Sequence, residues 1–181
     1  MIASHSLLEH PMTGRFALIV ALTVFLSACV LSSKKPMLAA DEGAMPIADG
    51  AIYDPWSKNS EGWKKEDPPF NFKAGDKTYL LSDGKSVVSL LFVKLDADWY
   101  ALQYHEKPEQ FYYGLVRMTA AGEIEVVPLP CDKIKAVAGS TPGIQFADND
   151  CSIDGVADPK ALFISLIGKL PEPDMKLVPR K

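Results

Sequence analysis

Asp83-Gly84, set between residues 77–82 and 86–95, constrains this chain more than any other local feature. The dipeptide supplies the positive φ angles that a tight type I′ turn requires, and both flanks have the composition of strands, so the segment reads as a β-hairpin. Val87-Val88-Ser89-Leu90-Leu91-Phe92-Val93 is apolar on both alternating faces, which predicts a central strand covered on both sides. Further strands are expected at residues 99–106, 111–119 and 123–127, joined by Asp96-Ala97-Asp98, Lys107-Pro108-Glu109 and Ala120-Ala121-Gly122. Connections this short favour antiparallel neighbours. In the last strand Ile124 and Val126 alternate with Glu123 and Glu125, the pattern of a half-exposed edge.

Pro128 and Pro130 end the meander, and residues 131 to about 155 read as an irregular loop with one helical turn near residues 133–137. Asp158-Pro159 marks a helix start, with aspartate capping free amides and proline in the first helical position. Apolar residues from Ala161 to Ile167 predict a helix largely buried against the sheet, ended by Gly168 and Pro171. The expected fold is therefore α+β, an antiparallel β-meander of four to five strands with a C-terminal helix packed on one face. Residues 76–181 make the single globular domain. Residues 29–75, rich in breakers such as Asp54-Pro55 and Asp67-Pro68-Pro69, read as a tether and extended arm. Trp56, Trp63, Phe70 and Phe72 lay part of that arm against the domain.

The segment upstream has a different character. Residues 16–26 carry no charge, follow Arg15 and precede Ser27 and Ala28, which is the layout of a signal peptide over residues 1–28. As a helix this run reaches roughly 16 Å, half of a ~30 Å hydrocarbon core, and is too short for a permanent span. Met12-Thr13-Gly14-Arg15 is already a compact basic start, so translation is expected to begin at Met12. Leu26-Ser27-Ala28-Cys29 resembles the lipobox of bacterial lipoproteins. The resemblance covers residues 12–32 and implies that Cys29 is acylated and becomes the N-terminus, with the membrane as its partner through the lipid. It further implies a cell-envelope address. Val30 and Leu31 in place of an aspartate favour the periplasmic face of the outer membrane if the source has two membranes.

In an oxidising envelope the two remaining cysteines, Cys131 and Cys151, are expected to form a disulfide. The signal segment removes Arg15 and Glu9 together, so the formal net charge of −4 is unchanged and gives no reason to bind nucleic acid. With His5 and His10 also lost, His105 is the one histidine, which excludes sites that need two imidazoles. No Gly-x-Ser-x-Gly elbow and no Cys-x-x-Cys is present. Asp148, Asp150, Asp154 and Asp158 lack EF-hand spacing and read as an ordinary acidic loop, so no metal and no cofactor is expected.

Aromatic residues are denser than any catalytic signal: Trp99, Tyr100, Tyr104, Phe111, Tyr112 and Tyr113 fall on two neighbouring strands. Some fill the core under the helix. From the rest, Tyr104, His105, Tyr113 and Arg117 form the candidate binding face, tyrosine and arginine being enriched where proteins meet partners. The expected function is a lipid-anchored envelope protein with a small non-enzymatic domain that binds a ligand or an envelope partner. The alternatives are a small envelope hydrolase using His105 with carboxylates, and an inhibitor of a lytic enzyme.

Overall fold

The structure, a computed structural model, describes residues 31–147 and 150–181. The signal segment, the start at Met12, the acylation site Cys29 and Asp148 lie outside the described residues. Thirteen strands form one sheet: β1 (Leu31–Ser33), β2 (Gly43–Ala44), β3 (Ile52–Asn59), β4 (Gly62–Lys65), β5 (Phe70–Ala74), β6 (Tyr79–Ser82), β7 (Val87–Asp96), β8 (Trp99–His105), β9 (Phe111–Met118), β10 (Ile124–Val127), β11 (Gln145–Phe146), β12 (Cys151–Ser152) and β13 (Met175–Pro179). Two α-helices, α1 (Cys131–Ala138) and α2 (Pro159–Leu166), and a 3-10 turn at Ala40–Glu42 complete the described residues.

The α+β meander expected from the sequence is replaced by a closed barrel. Strands β3, β5, β6, β7, β8, β9, β10 and β13 each pair antiparallel with the next, and β13 returns to β3 from Met175↔Ser57 to Pro179↔Tyr53. Eight staves thus run up and down in chain order, with five further strands outside the ring. Closure follows from the right-handed twist of each strand and leaves the ring without a free edge. β10 is accordingly no edge: Ile124 and Val126 do point inward, but Leu177 and Met175 of β13 pair beside them.

The segment read as tether and arm contributes β1 to β5, two of which are staves. Asp54-Pro55 misled because a proline usually ends a strand. Here Pro55 lies where the neighbour of β3 changes, β5 pairing with Ile52 and Tyr53 and β4 with residues from Trp56 onward. The amide hydrogen that proline lacks is not demanded at that gap.

The β6–β7 hairpin forms, although its turn is four residues long and only Gly84 has positive φ, at 84°. Asp83 Oδ1 accepts from the amides of Lys85 at 2.8 Å and Ser86 at 2.7 Å, a side-chain-closed turn in place of type I′. α1 is a full eight-residue helix, longer than the single turn expected. α2 begins as read, Asp158 Oδ1 accepting from the amide of Ala161 at 2.9 Å.

β7 is covered on both sides, and the two coverings are different cores. Val88, Leu90 and Phe92 face the barrel interior together with Phe72, Tyr79, Val116 and Ile124. Leu91 and Val93 face outward, beneath α1, α2 and β1, where Tyr113, Leu115 and Phe163 join them. Cys131 and Cys151 are bonded within this outer core. α2 is amphipathic: Leu162, Phe163 and Leu166 are buried while Ile164 is 46% exposed.

Inside the barrel, Tyr53, Phe72, Tyr79, Phe92 and Tyr100 run edge to face across five neighbouring staves, their centroids 5.3 to 6.5 Å apart. Tyr79 is fully buried, and its hydroxyl donates to the Ile47 carbonyl at 2.6 Å and accepts from the Ile47 amide at 2.9 Å. That contact draws the segment before β3 over the aromatic row. Tyr79→Phe strands both backbone groups of Ile47 and is expected to lower unfolding free energy by about 1–3 kcal/mol, read from urea denaturation.

Candidate functional site

Alternation within β8 and β9 sends Tyr100, Leu102 and Tyr104 inward with Tyr112, Gly114 and Val116. Glycine opposite Leu102 leaves space: a Cβ built on Gly114 meets the Leu102 side chain at 3.9 Å and no other atom nearer. The interior holds a cavity of about 330 Å³, with Phe72 and Phe92 of the aromatic row in its lining. Its walls are apolar, from Phe72, Leu90, Phe92, Leu102, Ile124 and Leu177 among others. Among the described residues, every charged group on it belongs to the β8–β9 connection, residues 106–110, where Glu106, Lys107, Glu109 and Gln110 form the rim. Tyr104 and Tyr112 stack at the neck, centroids 5.4 Å apart and planes at 28°.

Burial pushes the Tyr104 phenol far above its ordinary range, with the charges of Tyr112 and Glu106 adding to the effect. Tyr112 is raised by burial and then by Glu106 and Asp150. Both are neutral hydroxyls at physiological pH. Burial raises Tyr53, Tyr79 and Tyr113 as well. A phenol with a raised pKa stays protonated in the fold after the unfolded chain has begun to ionise, near pH 10. The native state then binds more protons than the unfolded one, so stability falls as pH climbs beyond about 10. Absorbance titration at tyrosinate wavelengths is expected to show most of the six tyrosines ionising only with loss of the fold.

The residues of the expected binding face do not come together. Tyr104 points into the barrel and His105, its neighbour, points out, tilted against Phe111 at 4.8 Å. Tyr113 is 2% exposed beneath α2, its ring 5.9 Å from Phe163. Its hydroxyl bridges Ser33 Oγ at 2.6 Å and the Met37 amide at 3.1 Å, and Gln103 Oε1 accepts from the amides of Met37 and Leu38, both at 3.0 Å. These bonds fasten the chain after β1 to the outer wall. Arg117 lies outside as well, donating from Nε to Glu125 at 2.7 Å and sitting 5.7 Å over the Trp99 ring. One of the four thus reaches the cavity, and Tyr113 serves the core.

His105 points away from the cavity, against Phe111 of the outer core. Its Nδ1 is buried without a hydrogen-bond partner among the described residues, and no carboxylate pairs with it there. The acidic loop is engaged in local bonding: Asp154 accepts from the Lys34 amide and Ser152, and Asp158 caps α2. No group of three or more metal-ligating side chains occurs among the described residues. A second hollow, near Trp63 and Trp99 outside the barrel, has its charges matched in Arg117–Glu125 and Lys58–Glu172 pairs.

Sequence reasoning missed Glu106, Glu109, Gln110 and Tyr112 as rim residues. The available signal was the inward set Tyr112-x-Gly114-x-Val116, a small residue between larger ones on one face of a strand. Compared with family models, curated proteins and solved structures, the chain matches none.

Proposed function

We propose that this protein is a lipid-anchored envelope binding module that carries no catalysis of its own and takes one small apolar molecule into the interior of its barrel. The observation that carries the reading is the cavity of about 330 Å³, apolar in its walls and polar only at its rim. That volume falls within the range of small-ligand sites, and an eight-stranded barrel is the size at which the interior is either filled by side chains or holds one small ligand. Support for the anchor is the arrangement of residues 12–32, with Cys29 as the acylated group. Incorporation of labelled palmitate into the wild-type protein and its loss in Cys29→Ser tests that part; label retained in Cys29→Ser removes it.

Binding is tested with N-phenyl-1-naphthylamine, a neutral probe that brightens in apolar surroundings. Saturable enhancement at one probe per chain is expected. Gly114→Leu places a side chain in the interior where there is room for its Cβ, and is expected to weaken the probe at least tenfold, about 1.4 kcal/mol, with the thermal midpoint nearly unchanged. Enhancement that never saturates, or that Gly114→Leu leaves intact, overturns the reading.

A further inference from the structure

Resting on the binding reading above, we propose that the ligand is a single-chain amphiphile with a protonated amine head, its chain inside the barrel and its ammonium between Glu106 and Glu109 at the rim. Three observations lead there.

Size limits the chain. About eleven waters would occupy 330 Å³ at their liquid volume of about 30 Å³ each, and a methylene needs similar space. One chain of about ten to twelve carbons fits.

Placement of charge makes the ligand amphiphilic. Walls that include Phe72, Leu90, Phe92 and Leu102 carry no ionisable group, whereas Glu106, Lys107 and Glu109 all stand on one connection at the rim. A purely apolar molecule would leave that rim unused, and a ligand with polar groups along its length would bury them without partners.

Sign selects the head. The rim holds two carboxylates against one ammonium, and Asp150 lies close enough to bear on Tyr112. Neither Glu106 nor Glu109 takes part in a salt bridge among the described residues, and Lys107 is likewise unpaired there. Tyr104 and Tyr112, held neutral, add hydroxyls at the neck without adding charge. The chain as a whole is also negative, at −4. With two carboxylates to one ammonium the rim is net negative, and the whole molecule is too, so the balance of charge favours an ammonium head over an anionic one.

The test is displacement of N-phenyl-1-naphthylamine from the full-length mature protein at neutral pH by dodecylammonium, dodecanol and dodecanoate, each below its micelle concentration. These share one chain and differ only in head charge. Dodecylammonium is expected to displace at concentrations at least tenfold lower than dodecanoate, with dodecanol between them, and the gap is expected to narrow at high salt. In Glu106→Gln/Glu109→Gln the advantage of dodecylammonium over dodecanol should vanish. Dodecanoate displacing as well as dodecylammonium, or a double variant that keeps the preference, overturns the amine head alone. Failure of all three compounds, together with failure of the probe, overturns the binding reading on which it stands.

Discussion

Phe163→Ala is expected to remove about 3–5 kcal/mol of stability, the range for truncating a large buried aromatic. Phe163 has no exposed surface and packs on Tyr113, whose hydroxyl in turn holds Ser33 and Met37. α2 spans eight residues and is too short to persist on local bonding alone, so its order depends on what it buries. Losing Phe163 therefore loosens the helix and the strand-and-loop cover that Tyr113 fastens. Against a usual total of about 5–15 kcal/mol, that is a large share. Ile164→Ala, one position along on the exposed side of the same helix, is expected to stay within about 0.5 kcal/mol. Urea denaturation with an unchanged m-value measures both; equal losses would mean that α2 does not dock through Phe163.

The double substitution Cys131→Ser/Cys151→Ser is expected to cost about 3 kcal/mol, from the unfolded-state entropy released when a link between residues 20 positions apart is opened. For a chain of this size the thermal midpoint should drop by about 6–12 °C. Structure adds a reason why the loss is felt. Cys151 belongs to β12, which pairs parallel with β1 at Leu31, whereas Cys131 opens α1. The bond ties the outer ribbon of β1, β12 and β11 to the helical layer. Thiol counting on denatured, unreduced protein should find neither of these two cysteines free.

The individual strands in the middle of the chain were legible because their signals are local. Residues 99–106 and 111–119 were read as strands and are β8 and β9 to within one residue, and the Asp158-Pro159 helix start depends only on its own first turn. Closure was not legible, because it joins residues 53–57 to 175–179 across almost the whole chain. Its two partners were also disguised, β3 by Pro55 and β13 by its shortness after Pro171 and Pro173. The candidate site failed on the same point. Aromatic density singled out Tyr104, which lines the cavity, yet alternation cannot reveal which face of a strand becomes an interior until the sheet is known to close. Grouping Tyr104 with His105 and Tyr113 joined residues from opposite faces: Tyr113 sits across from Gln103, not Tyr104.

β1 begins at Leu31, completely buried, and pairs with β9 through Ser32↔Tyr112 and Ser33↔Phe111. Cys29 is two residues upstream, and two residues reach at most about 7 Å. With Cys29 acylated as proposed, the barrel has no leash: it rides against the bilayer, and Tyr112 at the neck of the cavity belongs to the strand beside the anchor. Under that proposal a ligand would be drawn from a two-dimensional pool. What sets occupancy is then the mole fraction of amphiphile in the adjoining leaflet, and a dissociation constant measured in bulk buffer understates how full the barrel is in the cell.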